Sequence, residues 1–270
     1  MPPRRASLPI YNLPEMQAAN HRFWQAMRCE LAREDIRDTG EALAFEQRAV
    51  PERIERCMLF TQVCGYPLQT IYRGQATLLG APVYAADYCD GATHAGVFVV
   101  HGTAPYRRLE DLRGCRFVYN SRHSNSGMNL PRRAIADLAA GRPFFATIAE
   151  THSHAGNLER VARGEADGTC VDNVTFAFVA RHRPQLAEAL RILASTPPSP
   201  SIPFVTSRAA DADTVAALRR ALMRVARAPE WADARAGLML RDIVPADERA
   251  YAALLDYERQ AAALGYPALC

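Results

Sequence analysis

With 270 residues, of which 49% are hydrophobic and 23% charged, the chain has the composition of an ordinary globular protein, which excludes a disordered or fibrous reading. A formal charge of +3, with Arg interleaved among Asp and Glu, provides no basic surface for a nucleic acid. All 32 basic residues are arginine, so a P-loop lysine, a Schiff-base lysine and a lysine general base are excluded.

At the N-terminus, Arg4 and Arg5 precede only a short apolar stretch, residues 6–10, before Asn12. That is too short for a secretory h-region, so no signal peptide is expected, and the chain reads as cytoplasmic if Met1 is its start. Residues 6–10 predict a first strand. Pro14 then opens a helix whose apolar positions Met16, Ala19, Phe23, Trp24 and Met27 recur at helical spacing. Residues 58–63 predict a second strand, and Tyr66-Pro67 starts the helix after it. This alternation is the mark of an α/β protein.

A second block follows residues 84–88. Strands are expected at 96–101, 115–120, 146–149 and 168–171. The clearest intervening helix is 127–140, with Leu130, Ala134, Ile135 and Leu138 on one face and Gly141-Arg142-Pro143 as its stop. Residues 190–194 read as a strand running into the rigid segment Ser195-Thr196-Pro197-Pro198-Ser199-Pro200. One more strand, 204–206, and three helical stretches from Thr214 complete the chain. The longest apolar runs, such as 95–100, are strand-sized, which predicts a soluble protein without membrane insertion.

Crossings near 84–90 and 194–200 divide the chain into two lobes, residues 1–86 with 197–270 and residues 87–196. Each lobe is expected to hold a mixed, mostly parallel sheet flanked by helices, with a ligand cleft between the lobes.

Three strand-to-helix junctions concentrate the polar chemistry. Ser124-Asn125-Ser126-Gly127 precedes the 127–140 helix, where free N–H groups and the helix dipole favour an anion, serine hydroxyls donate, and Gly127 permits close approach. One of these serines would equally serve as a helix N-cap. At the second junction, Thr151-His152-Ser153-His154-Ala155-Gly156, the histidines lack the further ligands that a zinc site needs, and His154 reads better as a donor to an anionic oxygen. At the third, Asp172 ends a strand, either as a ligand acceptor or as the N-cap of the next helix.

Tyr11 and Tyr66 follow the first two strands and offer a ring with one hydroxyl, either toward a ligand or as core residues. The seven scattered cysteines form no C-x-x-C pair and no disulfide framework. The chain contains no G-x-S-x-G, H-E-x-x-H or G-x-G-x-x-G motif. A triad of Ser126, His154 and Asp172 is conceivable only as three residues reaching one cleft.

At these junctions the sequence resembles the phosphate/phosphite/phosphonate ABC-transporter substrate-binding family. Residues 6–11 are similar to its opening strand, and Gln62-Val63-Cys64-Gly65-Tyr66-Pro67-Leu68 to its second-strand signature. Ser124-Asn125-Ser126-Gly127 matches its S-x-S-G grip, and residues 153–167 its S-H-x-x-N-L-x-x-V-x-x-G-x-x-D segment. The resemblance implies a two-lobed type II periplasmic-binding-protein fold and reversible binding of a small oxyanion without catalysis, metal or cofactor. It implies periplasmic work with an ABC-transporter permease, and a ligand held by Tyr11, Tyr66, Ser124, Asn125, Ser126, Gly127 and His154, with Asp172 where the family varies with ligand type. An enzyme or sensor on the same fold, or a binder of a sulfonate or pyrimidine precursor, is the alternative.

Overall fold

A computed structural model describes residues 4–40, 42–44 and 53–270; the expected placement of residues 1–3, 41 and 45–52 in lobe 1 lies outside the described residues. The chain forms two compact units. The first comprises Met1–Ala85, Asp90–Thr93 and Pro200–Tyr251, the second Ala86–Cys89, His94–Ser199 and Ala252–Cys270.

The first unit contains β1 (Arg5–Ala6), α1 (Gln17–Ala32), β2 (Met58–Gln62), α2 (Gly65–Gln69) and β3 (Ala76–Tyr84). The short strand β4 (Thr93–His94) follows, at the passage into the second unit. The second unit carries β5 (Gly96–His101), β6 (Arg116–Tyr119), α3 (Leu130–Ala139), β7 (Thr147–Glu150) and α4 (His154–Ala162). It continues through β8 (Gly168–Asp172), α5 (Asn173–His182), α6 (Pro184–Glu188) and β9 (Leu190–Ser195). After β10 (Ser199–Pro200), which pairs with β4, the chain returns to the first unit as β11 (Phe204–Ser207), α7 (Ala212–Arg227), α8 (Ala232–Gly237), β12 (Leu240–Val244) and α9 (Glu248–Ala252). The last helix is α10 (Leu254–Ala263).

Each unit is built on a five-stranded sheet, ordered β1-β2-β11-β3-β12 in the first and β7-β6-β8-β5-β9 in the second. Both sheets are mixed, but not mostly parallel. Among the described residues of these two sheets, β1 with β2, β6 with β7 and β6 with β8 run parallel, whereas β11 with β2 and β3, β12 with β3, and β5 with β8 and β9 run antiparallel. The antiparallel ladders involve the strands that lead into or out of the passages, β3, β5, β9 and β11, together with β12. Helical connections still join strands of one direction, β2 to β3, β8 to β9 and β11 to β12, but each of these pairs has a strand of the opposite direction inserted between its members, β11, β5 and β3 respectively.

In the first unit the core is an aromatic stack, with Phe204 5.6 Å from Phe23 and 5.2 Å from Phe60, and Trp24 5.8 Å from Phe60. In the second, Phe117 stacks on Phe145 at 4.2 Å. Offset aromatic pairs of this kind add to the burial of their area.

Residues 252–270 depart from the expected lobe 1 and pack with the second unit. There α10 lies against α3, Arg132 Nη1 donates to Pro267 O (2.9 Å), and the Phe144 N–H donates to Cys270 O (2.8 Å). Such partners are distant in sequence and leave no local signal.

Strand β3 is fully formed although Gly80 and Pro82 interrupt its sequence. A Cβ on Gly80 would lie 2.9 Å from Ile243 Cγ2 and 3.0 Å from Leu222 Cδ2, so the glycine lets α7 and β12 close on the strand. Gly80→Ala is expected to destabilise the protein by about 1–3 kcal/mol through overpacking. Urea denaturation midpoints measure this, and an unchanged midpoint would show that Leu222 and Ile243 yield freely.

Candidate functional site

Strand β6 delivers the chain to Asn120, and Ser124 follows in extended conformation with its Oγ accepting the Gly127 N–H at 3.0 Å. Ser124 is therefore the N-cap, the role foreseen for one of the serines. A single π-helical turn, Asn125–Asn129, comes next, closed by the Asn129 N–H on Ser124 O (3.0 Å), and runs directly into α3. A π turn is wider than an α turn and is common at functional positions. Its residues are all buried, and its N-terminal N–H groups have no partner one turn earlier in the helix.

Two glycines let this turn sit deep. A Cβ on Gly127 would lie 2.0 Å from Asn120 Oδ1 and 3.1 Å from His154 Cε1. A Cβ on Gly96, at the start of β5, would lie 2.9 Å from both Ser126 O and Cys170 Sγ. The Asn120 amide and the His154 ring thus close directly over the backbone at Gly127.

His154 opens α4, which Ser153 caps through its Oγ on the Gly156 N–H (3.0 Å). Its Nε2 stands 3.4 Å from Ser126 Oγ, at the long end of hydrogen bonding. Burial of the ring, opposed by Asp172 and reinforced by His94, lowers its pKa to about 4, so the imidazole is neutral at physiological pH. His152 is exposed, with φ +64°, and gives its backbone N–H to Asn120 O (2.7 Å). Asn157 satisfies both ends of its amide when Nδ2 donates to Ser153 O and Oδ1 accepts the Asn120 N–H, each at 3.2 Å, which ties α4 to the end of β6.

Asp172 realises the N-cap role: Oδ1 accepts the Thr175 N–H at 3.0 Å. Its Oδ2 pairs with Nδ1 of His94, and both residues are 1% exposed. Burial pushes the Asp172 pKa up, but the charge and hydrogen bond of His94, with His154 and the Thr175 N–H, outweigh it and hold the carboxyl below its ordinary value. Cys170, two residues earlier, is held well above the usual thiol range by burial and then by Asp172, so it is not a thiolate. His94 was not singled out from the sequence, since Asp90-Gly91-Ala92-Thr93-His94 matches no motif and lies 78 residues from its partner.

The Asn125 side chain is turned toward Ser199 and Asn129. It is fully buried, its Nδ2 donating to Ser199 Oγ (2.7 Å) and its Oδ1 accepting from Asn129 Nδ2 (3.1 Å). Asn129 in turn donates to Leu254 O (3.0 Å) and accepts from Arg132 Nη2 (2.7 Å). This polar chain fixes the π turn from behind.

Ser124, Ser126, Gly127, His154 and Asp172 therefore come together within the second unit. Tyr11 and Tyr66 belong to the first unit, where both are buried. Tyr11 meets the Tyr84 ring edge-on at 5.3 Å, and Tyr84 Oη accepts from Gln62 Nε2 (3.1 Å). Among the described residues, no group of three or more His, Cys, Asp or Glu is placed to hold a metal ion, and no helix is long and apolar enough to cross a membrane.

Residues 70–251 match the family model described as "ABC transporter, phosphonate, periplasmic substrate-binding protein". No match is found among curated proteins. Among solved structures, the chain is similar to a binding protein component of an ABC phosphonate transporter from Pseudomonas aeruginosa (13% identity, 97% of this chain and 87% of that one, TM-score 0.77). It is also similar to PhnD1 from Prochlorococcus marinus in complex with methylphosphonate (14% identity, 96% and 98% covered, TM-score 0.70) and to a Xanthomonas citri protein bound to chloride ion (15%, 97% and 98%, TM-score 0.72). At these identities the likeness shows the fold, that of two-lobed type II periplasmic binding proteins.

Proposed function

The chain belongs to the periplasmic substrate-binding proteins of phosphonate ABC transporters, and from that premise we propose that it binds a small tetrahedral oxyanion, a phosphonate, phosphite or phosphate, at the turn Ser124–Gly127. The observation that carries this reading is the buried start of α3, with a serine hydroxyl, a glycine and a neutral histidine converging on its first turn. Backbone N–H groups at a helix start, with the helix dipole, provide an anion site that needs no cationic side chain.

In this reading Ser126 and His154 donate to the ligand, Ser124 and Asn125 hold the turn and contribute N–H groups, and Gly127 permits close contact. Tyr11 and Tyr66 are the contributions assigned to the first unit. Binding is reversible and without covalent chemistry: Asp172 is committed to His94 and the α5 cap, so Ser126, His154 and Asp172 form no relay, and Cys170 is protonated. The protein would deliver its ligand to a permease in the periplasm.

Titration calorimetry with methylphosphonate, phosphite, phosphate and methanesulfonate tests the reading. Sub-millimolar binding of at least one phosphorus oxyanion is expected, and no heat from any of the four at millimolar concentration overturns it. Ser126→Ala and His154→Ala are each expected to weaken binding about 10- to 100-fold, the usual worth of a hydrogen bond to a charged group. Unaltered affinity in both would remove the two residues from the site.

A further inference from the structure

A buried cation stands directly behind the turn. Arg132, on α3, is 4% exposed, and its guanidinium reaches back toward the start of the helix, as helical side chains do, where Nη2 donates to Asn129 Oδ1 (2.7 Å). Asn129 is the last residue of the π turn. Its Nδ2 donates to Asn125 Oδ1 (3.1 Å), and Asn125 Nδ2 donates in turn to Ser199 Oγ (2.7 Å). Each amide therefore turns its oxygen toward the guanidinium and its hydrogens away. Hydrogen bonds aligned head to tail from a charge polarise one another, so the chain carries the field of Arg132 along the turn.

This guanidinium is poorly compensated within the protein. Nη1 donates to Pro267 O (2.9 Å), a neutral acceptor, and Nε is buried without a partner. The carboxylate that faces it, Glu258 on α10, stands 3.8 Å away, beyond hydrogen bonding, and is half-exposed, so water screens it. A buried charge held by neutral groups is costly unless an anion offsets it. The side chains at the front of the turn bring no positive charge: Ser124 and Ser126 are hydroxyls and His154 is neutral. The neighbouring Arg122 and Arg133 are paired with Glu150 and Asp137.

Building on the oxyanion reading above, we propose that Arg132 is a positioning residue of the site, which holds the turn through Asn129 and Asn125 and supplies positive charge to the oxyanion from behind it, without touching the ligand. The backbone N–H groups remain the contacts, and Arg132 strengthens their field. Glu258 attenuates that charge from the surface.

Calorimetry with methylphosphonate at pH 7.5 and low ionic strength, where surface charges are least screened, tests this on the whole protein. Arg132→Gln is expected to bind about tenfold more weakly, the order of one Coulomb interaction across a helical turn at intermediate dielectric. Arg132→Lys keeps the charge while giving up the planar fork, and it is expected to recover most of that loss. Glu258→Gln, which removes the surface carboxylate facing Arg132, is expected to bind about two- to threefold more tightly, a gain that high salt erases. A purely structural role for Arg132 predicts equal losses in the Gln and Lys variants and no gain from Glu258→Gln. That pattern, or Arg132→Gln within threefold of the native protein, overturns the inference and leaves the oxyanion reading intact. Should the Arg132 variants not fold, Glu258→Gln decides alone, and unchanged or weaker binding overturns the inference. Failure of the native protein to bind methylphosphonate, phosphite or phosphate overturns both.

Discussion

Gly127→Ala is expected to weaken oxyanion binding more than a hundredfold while leaving the chain folded. The new methyl carbon would lie 2.0 Å from Asn120 Oδ1, a distance that non-bonded carbon and oxygen do not reach, and a tight 3.1 Å from Asn120 Cγ. Asn120 is a short side chain, and its backbone is fixed on both sides, the carbonyl by the His152 N–H and the N–H by Asn157. The His154 ring, 3.1 Å away through Cε1, must retreat as well. The added carbon therefore displaces two groups at the turn, one of them the His154 ring assigned to the ligand. Overpacking of one carbon costs about 1–3 kcal/mol, which the fold can absorb. Calorimetry with methylphosphonate beside a thermal melt checks both halves, and a variant binding within tenfold of the native protein would mean that Asn120 turns aside freely.

The strands that pattern alone reveals are those with uninterrupted apolar sequence. Residues 58–63, 96–101, 168–171 and 190–194 fall on β2, β5, β8 and β9 to within a residue or two; β2, β5 and β8 are buried nearly throughout and need no alternation to be recognised, whereas β9 is a half-buried edge strand. The first strand is shorter than its apolar stretch: its last hydrogen bond to β2 is the Ser7 N–H on Phe60 O (2.9 Å), and Pro9, which has no N–H to donate, follows two residues later. Strand β3, nine residues long, has no such clean pattern. Gly80 and Pro82 read as breakers, yet the sheet uses the first for close approach of α7 and accommodates the second beside an irregular register with β12. The strand directions and the docking of residues 252–270 depend on tertiary contacts with no local signature.

At the site, the residues that announce themselves are those whose job is local. Ser124, Ser153 and Asp172 cap helices, and a polar residue followed by a helical period is visible at once. What the sequence does not display is where each side chain points. Asn125 sits in the middle of the proposed oxyanion turn, yet its amide faces Ser199 and Asn129. His94 carries no motif and becomes meaningful only because β5 and β8 are neighbours, their register pairing Gly96 with Asp172. Polar partners brought together by sheet register rather than by spacing are the part of a site that a single sequence conceals.

The His94 to Asp172 pair leads to the second large expected effect, on stability rather than on ligand affinity. Asp172→Asn keeps the shape and the Oδ1 acceptor for the Thr175 N–H, but it removes the charge facing His94 in a site from which water is excluded. Losing the charged partner of a buried hydrogen bond costs about 1.5–3 kcal/mol, which in a chain of this length lowers the melting temperature by roughly 3–10 °C at neutral pH. The loss must depend on pH with a definite sign. Because the folded carboxyl titrates below its unfolded value, its contribution is complete above the unfolded pKa of about 3.9 and disappears as pH falls through the lower folded pKa. The gap between native and variant urea midpoints should therefore be constant from pH 7 to about pH 5 and shrink below pH 4. A gap that is absent at pH 7, or that stays the same width down to pH 3, would show that the carboxylate charge contributes nothing and that Asp172 serves the fold only as the cap of α5.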